Sequence, residues 1–89
     1  MVDWDPRKAL SNIRRRGIGF DEAATALDDW RQITVEDLDH SRHEQRWRTI
    51  GLSDQGRLLV VTWTIRQGKV RVISARRAMK REQHAYERS

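Results

Sequence analysis

The chain has 89 residues, of which 35% are charged and 37% apolar, and it contains no cysteine. This length predicts one domain with a small core, and the lack of cysteine excludes disulfide scaffolds and thiolate zinc sites. No apolar segment has the length needed to cross a bilayer and the first ten residues are not typical of a signal peptide, so we expect a soluble, cytoplasmic protein.

Basic side chains are concentrated in the second half of the chain. Residues 1–45 carry seven basic and ten acidic side chains, whereas residues 46–89 carry eleven and three. Fifteen of the eighteen cations are arginine, whose planar guanidinium suits phosphate. Such a half is typical of proteins that bind nucleic acid or another polyanion, although arginine also lies on ordinary solvated surfaces.

The first half predicts two helices. Residues 2–4 favour a short strand or an anchoring tail. Asp5-Pro6 is a helix-start signal, and it predicts a helix that stops at Gly17. Asp21 is the expected N-cap of a second, alanine-rich helix over residues 22–28.

A polar line follows the first helix at the spacing i, i+4 and i+7. It consists of Lys8, Asn12 and Arg15, on the side opposite to an apolar face. A solvated face is the simplest interpretation of such a line.

Residues 30–35 predict a short strand and residues 36–44 a polar loop that contains His40 and His43. Asp37, Asp39 and His40 in this loop suggest a metal site, but their spacing fits no strong metal-binding signature. We therefore expect no metal ion.

The second half predicts an antiparallel meander. Three strand candidates, at residues 46–52, 57–66 and 69–75, are separated by two short turns. The middle candidate is nearly all apolar, β-branched or aromatic, so we expect it to be the central strand, with Trp63 in the core. Trp30 and Trp47 are open to either a core or a surface role.

Residues 76–88 predict a closing helix. A basic stripe is expected on one side of it, formed by Arg77, Arg81, His84 and Arg88. Glu82 lies on the opposite, apolar side and needs a partner there, because a buried unpaired charge is costly. We expect that partner to be an arginine of the sheet, in either a structural or a functional pair.

The predicted fold class is α+β, in one domain over residues 1–89. It has two N-terminal helices, an antiparallel sheet of three or four strands, and a C-terminal helix. The helices should cover one face of the sheet and leave the other free for a ligand or partner.

Motifs in both halves carry a resemblance to a known family. The first half has W-D-P-x-K-x-x-x-N at residues 4–12, R-x-G-I-x-F-x-E-A-A at 15–24, D-D at 28–29, D-H at 39–40 and E-x-R at 44–46. The end has R-V-I-S-A-R-R-A-x-x-x-E-x-x-x-Y at residues 71–86. In this order, over roughly residues 3 to 88, the motifs resemble the BrnT family, the toxin half of bacterial type II toxin–antitoxin pairs.

Two positions depart from the family pattern. Arg15-Arg16 stand where the family usually has Lys-His, so a histidine acid or base is absent there. Met79 stands where the family tends to have Ser or Thr as a helix cap, a difference typically worth about 1 kcal/mol.

The resemblance implies a RelE-like fold and endoribonuclease activity. It also implies a cognate BrnA-type antitoxin with a ribbon-helix-helix domain, through which alone the toxin would reach operator DNA. No membrane partner is expected. We expect the antitoxin to bury at least one of Arg46, Arg48 and Arg76.

RNA cleavage without a metal ion or cofactor uses the ribose 2′-hydroxyl as nucleophile. It requires charge neutralisation at the phosphate and two proton transfers. The expected catalytic residues are Arg76 at the phosphate, His40 as acid or base, Glu82 as the partner of an arginine or as base, and Lys8. Further RNA contacts are expected from Arg46, Arg48, Arg77, Arg81 and Tyr86.

Two other functions fit the same residues. One is a non-catalytic nucleic-acid-binding module, such as a repressor subunit. The other is a degenerate toxin that only binds its antitoxin, an interpretation that Arg16 at the usual histidine position keeps open.

Overall fold

Three helices and a five-stranded mixed sheet make up the protein, whose computed structural model describes residues 2–89. In chain order the elements are β1 (Val2–Trp4), α1 (Pro6–Arg16), α2 (Phe20–Ala26), β2 (Ile33–Glu36), a 3-10 turn (Leu38–His40), β3 (Arg46–Leu52), β4 (Leu58–Arg66), β5 (Lys69–Arg77) and α3 (Lys80–Arg88). The sheet order is β1-β5-β4-β3-β2. The α+β class is confirmed, but the sheet has more strands than the expected three or four. No helix within these residues is long and apolar enough to span a membrane.

The additional edge strand is β1, which makes the sheet mixed. It runs parallel to β5, with Val2 opposite Val70 and Trp4 opposite Val72, whereas all other pairs are antiparallel. The Trp4 ring packs edge-on against Phe20, with ring centroids 6.2 Å apart. This contact fixes the start of the chain on the hydrophobic core.

The hydrophobic core lies on one face of the sheet, which we call the core face. Side chains alternate between the two faces of a strand. Leu59 and Val61 of β4 and Ala75 of β5 point to the same face, where they pack in the core with α2. Helix α2 packs directly on β3. The backbones are so close that a Cβ at Gly51 would collide with the Ala26 carbonyl, so this position requires glycine. Trp63 packs against this core, as expected.

The first two helices differ in how well their bounds were predicted. Helix α1 has the expected signals: the Asp5 carboxylate accepts the Arg7 N–H at 2.8 Å, and Gly17 ends the helix with φ 72°. Helix α2 begins at Phe20 after Gly19, so the predicted Asp21 cap is wrong. The start is displaced because burial of the Phe20 side chain brings that residue into the first turn.

The strand β2 is shorter than predicted and begins at Ile33. The Trp30 side chain is 89% exposed and lies in the turn before the strand. Because Trp30 pairs with no strand, the predicted start at residue 30 is wrong.

The boundary between β5 and α3 also differs from the prediction. Arg76 pairs with Val60 and Arg77 with Leu59, so the ladder continues two residues past Ala75 and α3 begins only at Lys80. The predicted helix start at residue 76 is therefore wrong. The expected basic stripe is broken for the same reason, because Arg77 belongs to the strand.

The helices lie on both faces of the sheet, contrary to the expectation. Arg76 and Val60 alternate with core residues and so belong to the opposite face, which we call the cavity face. Arg76 pairs there with Glu82 of α3, and Val60 is only 3% exposed. Helix α3 thus covers one end of the cavity face and leaves the other end open.

Candidate functional site

A cavity of about 320 Å³ occupies the open part of the cavity face. It lies over β3, β4 and β5, between the end of α1 and the 3-10 turn. Its charged and titratable lining consists of Arg15, Arg16, Arg46, Arg48, Arg76, Asp37 and His40. With five guanidinium groups and one carboxylate, the cavity is strongly electropositive and suits an anion.

The sheet brings the arginines of β3 and β5 to the same face. Arg48 lies opposite Thr62, and Arg76 lies opposite Val60, on the two sides of β4. Arg46 precedes Arg48 by two residues in the same strand and so points to the same face. Arg46, Arg48 and Arg76, three of the predicted site residues, thus lie together in one cavity.

Arg76 is held by Glu82 in a bidentate ion pair. The two guanidinium NH groups donate to the two carboxylate oxygens at 2.8 and 2.7 Å. A third donor, the Met79 backbone N–H, reaches the same carboxylate at 2.7 Å. The Arg76 hydrogen bonds hold the pKa of Glu82 below its usual range, so this carboxylate remains ionised and is a weak base.

The Met79–Glu82 hydrogen bond also accounts for the helix cap. Met79 is the N-cap residue of α3 and lacks the hydroxyl that Ser or Thr would supply. The Glu82 carboxylate accepts the Met79 N–H instead, which is one half of a capping box. Glu82 therefore joins the start of α3 to the cavity arginine.

Asp37 and His40 form a second polar pair at the rim of the cavity. The His40 Nδ1 lies 3.1 and 3.0 Å from the two oxygens of Asp37, whose carboxylate is almost fully buried. An ionised carboxylate only accepts hydrogen bonds, so Nδ1 carries the proton and Nε2 remains available as an acceptor. The His40 side chain is 68% exposed, which leaves it accessible to a substrate.

Arg48 lies beside this pair. Its Nε is 3.9 Å from an Asp37 oxygen, too far for a hydrogen bond, and within residues 2–89 this buried nitrogen has no acceptor. A buried donor without an acceptor is costly. A bound anion would supply the missing acceptor.

Asn12 places the end of α1 at the cavity. Its buried amide donates to the carbonyl oxygens of Ala75 at 2.9 Å and Ile18 at 2.8 Å, and it accepts the Ala75 N–H at 3.2 Å. Strand β1 pairs only with residues 70–72 of β5, so Asn12 completes the β5 edge beyond β1. Arg15 and Arg16, in the next turn of α1, consequently line the cavity.

Arg46 and Glu44 mark the outer end of the cavity. The Glu44 carboxylate accepts from Arg66 at 2.8 Å and from Arg46 at 3.3 Å. The Arg66 hydrogen bonds are the main cause that lowers the pKa of Glu44. Arg46 is therefore restrained, with 29% of its side chain exposed.

Five predicted site residues are not among those that line this cavity: Lys8, Arg77, Arg81, Glu82 and Tyr86, of which Glu82 contacts the lining residue Arg76. Lys8 is exposed on α1, one turn before Asn12. The Tyr86 hydroxyl donates to Asp29 at 2.5 Å and its ring is buried beneath Arg31, whose guanidinium carbon lies 5.2 Å from the ring centroid. Burial and the Asp29 carboxylate raise the pKa of Tyr86, which anchors α3 to the segment before β2.

Residues 4–82 match a family model described as "Ribonuclease toxin, BrnT, of type II toxin-antitoxin system". The chain belongs to the BrnT family. Its fold is similar to that of the Brucella abortus ribonuclease toxin BrnT in a 1.1 Å crystal structure, with a TM-score of 0.66. The two sequences are 21% identical, over 89% of this chain and 96% of the Brucella chain. No curated protein matches the chain.

Membership of the BrnT family confirms the resemblance carried by the sequence motifs. The family consists of ribonuclease toxins of type II toxin–antitoxin systems, so its substrate is RNA and its partner is an antitoxin. Every residue that lines the cavity lies within the matched segment.

Sequence reasoning missed three contributors to the BrnT cavity: Asn12, Asp37 and the Arg15-Arg16 pair. In the sequence Asn12 belongs to a polar line typical of a solvated face, and no local signal reveals its partner Ala75, which is 63 positions away. Asp37 was considered only as a metal ligand, and residues 2–89 contain no cluster of three or more metal-binding side chains. The separation of three residues between Asp37 and His40 is the one local signal of their pairing.

Proposed function

We propose that the chain is an endoribonuclease toxin of RelE-like fold that cleaves RNA without a metal ion or cofactor. One observation carries this proposal: five guanidinium groups line a cavity that has the Asp37–His40 pair at its rim. Guanidinium groups remain charged near neutral pH and neutralise a phosphate without a cation. A lining of this kind repels metal ions and attracts the RNA backbone.

The proposed reaction is transfer of the phosphoryl group from the ribose 5′-oxygen of one nucleotide to the 2′-oxygen of the preceding nucleotide. The substrate 2′-oxygen attacks the adjacent phosphorus and the bond from phosphorus to the 5′-oxygen breaks. This step leaves a 2′,3′-cyclic phosphate and a 5′-hydroxyl end. One proton leaves the 2′-hydroxyl and one reaches the departing 5′-oxygen.

The cavity offers groups for charge neutralisation and for one of the two proton transfers, and water carries the other proton. Arg76 and Arg48 are placed to stabilise the extra negative charge of the pentacoordinate phosphorus. His40, oriented by Asp37, exchanges a proton through Nε2. Glu82 acts as a positioning residue, because its carboxylate is occupied by Arg76 and Met79.

The remaining arginines guide the strand to the cavity. Arg15, Arg16 and Arg46 contact neighbouring phosphates, and Lys8 extends this path along α1. Arg77 and Arg81 contribute long-range attraction from outside the cavity. In this proposal Tyr86 supports α3 and does not contact RNA.

We further propose that a BrnA-type ribbon-helix-helix antitoxin covers the cavity in the cytoplasm. An acidic segment of that protein would neutralise the arginine lining and exclude RNA. The single BrnT-like domain then reaches operator DNA only through the antitoxin. A structure of the complex should show at least one of Arg46, Arg48 and Arg76 buried, and exposure of all three would contradict this mode of inhibition.

Cleavage of a long single-stranded RNA, with and without EDTA, tests the proposed activity against its alternatives. Cleavage that the chelator leaves unchanged supports a metal-independent ribonuclease. RNA binding without cleavage indicates a non-catalytic nucleic-acid-binding module. Binding of antitoxin but not of RNA indicates a degenerate toxin.

A further inference from the structure

A second cavity, of about 230 Å³, adjoins the arginine-lined cavity. It is lined by Asp39, His40, Arg42, His43, Glu44 and Arg46. His40 and Arg46 line both cavities and so form the wall between them. A group bound in the second cavity therefore lies directly beside the proton-transfer residue of the first.

The position of this second cavity matches the covalent structure of RNA. Each phosphate is flanked by two nucleosides, so a phosphate held next to His40 places a base within reach of the neighbouring cavity. The volume is sufficient for one nucleobase. Single-stranded RNA is read in this way, by bases that leave the stack and enter pockets in the protein.

The second cavity contains two carboxylates that could accept hydrogen bonds from the donor edge of a base, Asp39 and Glu44. Glu44 remains ionised because Arg66 lowers its pKa, but its oxygens are already occupied by Arg66 and Arg46. Asp39 is exposed and, within residues 2–89, neither accepts a side-chain hydrogen bond nor has an ion-pair partner. Its carboxylate is therefore the acceptor that a base would meet.

Guanine is the nucleobase that fits such an acceptor. Its Watson–Crick edge presents two adjacent donors, N1–H and the N2 amino group, which match the two oxygens of a carboxylate. Adenine and cytosine present one amino group next to an acceptor nitrogen. Uracil presents one N–H between two carbonyl oxygens, and a carboxylate repels both of these oxygens.

We propose that the second cavity binds the base next to the scissile phosphate and that Asp39 selects guanine there. This inference rests on the proposed ribonuclease function for the position of the phosphate. Arg42 lies on the wall of the same cavity, where its guanidinium plane can stack on the bound base.

Oligoribonucleotides that differ only at one central nucleotide test this inference. The central base is guanine, 7-deazaguanine, inosine or adenine; 7-deazaguanine retains both donors, whereas inosine lacks the amino group. Cleavage beside the central position is one measurement. The other is the anisotropy-based affinity for the same strands with 2′-deoxyribose at the central nucleotide and at the one before it, so that the proposed reaction can cleave neither adjacent phosphate.

We expect equal cleavage rates and affinities for strands with guanine and 7-deazaguanine, and values about tenfold lower for strands with inosine or adenine. Asp39→Asn should reduce this preference to within about threefold, because an amide supplies only one acceptor oxygen. Asp28→Asn is the matched control, since Asp28 is exposed and lies outside both cavities, and it should retain the preference.

Each failure has a separate meaning. Cleavage without base preference, preference for another base, or a preference that survives Asp39→Asn would overturn the inference and leave the proposed ribonuclease intact. Lack of cleavage, with a guanine preference in binding that Asp39→Asn removes, would overturn the proposed activity and support the base site.

Discussion

Two hydrogen bonds from the Arg76 guanidinium to the Glu82 carboxylate fix the orientation of the arginine in the cavity. Bidentate pairs of this kind are shorter and more directional than single contacts. The pair remains partly exposed, with 27% of the Arg76 side chain accessible. Arg76 is therefore both preorganised and able to meet a phosphate.

At this scale we predict coupled effects of the Arg76→Ala and Glu82→Ala substitutions. Arg76→Ala should slow RNA cleavage by about 10²–10³-fold, as loss of one transition-state donor does in other enzymes. Glu82→Ala should cause a smaller loss, and almost no further loss on the Arg76→Ala background, because a positioning residue acts through its partner. Single-turnover cleavage rates of the three variants measure the coupling.

Arg88→Ala is the matched control, since Arg88 is an exposed arginine of α3 that lies outside the cavity. Its cleavage rate should remain close to that of the wild type. Circular dichroism and the urea midpoint check that each variant is folded. Defects that multiply independently would show that Glu82 has a catalytic role of its own, as a base.

Contacts across the sheet explain which site residues the sequence predicted. Arg46 and Arg48 were predictable together, because residues two apart in a strand share a face, whereas Arg76 was predictable only as a residue at the junction of the last strand and helix. Asn12 was not predictable, since its burial depends on Ala75, which only the folded sheet brings to α1. Local spacing carries no information about such a contact.

At the scale of the elements, the site depends on the edge of β5, where β1 and α1 both contact this strand. Strand β1 pairs with residues 70–72 only, and Asn12 of α1 supplies the hydrogen bonds at Ala75. The side chain thus replaces the next residue of a missing strand. The end of α1, with Arg15 and Arg16, is thereby fixed beside Arg76.

We predict that Asn12→Ala lowers the free energy of unfolding by about 1–3 kcal/mol, because it leaves buried backbone groups of Ala75 and Ile18 without a partner. Urea denaturation measures this change. Ser11→Ala is the matched control, since Ser11 is the exposed neighbour on the same helix, and it should change the stability little. Equal stabilities of the two variants would contradict the role assigned to Asn12.

The predicted and observed elements differ where tertiary pairing overrides local preference. The signals at Asp5 and Gly17 are local, so the bounds of α1 were predictable. Residues 76 and 77 have side chains that favour helices, yet β4 pairs with them and extends β5. The strand alternative for residues 2–4 is confirmed by β1, but three residues are too few for their pattern to show which strand they pair with.

For the whole molecule, three glutamate–arginine pairs join different structural elements of the chain. Arg57 hydrogen bonds lower the pKa of the buried Glu22, as Arg66 does for Glu44 and Arg76 for Glu82. A lowered pKa in the folded state means that the unfolded state binds protons more readily. The stabilisation is complete above the ordinary glutamate value of 4.5 and is lost as the pH falls through the lowered values.

We therefore predict that the free energy of unfolding is nearly constant around neutrality and decreases below about pH 4.5. Urea denaturation at a series of pH values between neutrality and strong acid measures this decrease. In the Glu22→Gln variant the free energy of unfolding should decrease less steeply at low pH, because the substitution removes one of the titrating groups. A stability independent of pH in this range would contradict the assigned pairs.

The arginine surface as a whole predicts a strong dependence of RNA affinity on salt. Each phosphate contact on a single strand contributes about 0.7 to the slope of log affinity against log salt concentration. Four or five contacts, as the arginine-lined cavity allows, give a slope of about −3. Anisotropy titrations at several salt concentrations measure it, and an affinity independent of salt would rule out the arginine surface as the RNA site.

The most direct test of the central claim is the chemical nature of the ends that the protein produces. The substrate is a DNA strand with one ribonucleotide, incubated in EDTA, with each of the four bases in turn at that position. We predict cleavage only after the ribonucleotide, which leaves a 2′,3′-cyclic phosphate and a 5′-hydroxyl. Cleavage at deoxyribonucleotides, or ends with a 3′-hydroxyl and a 5′-phosphate, would contradict it.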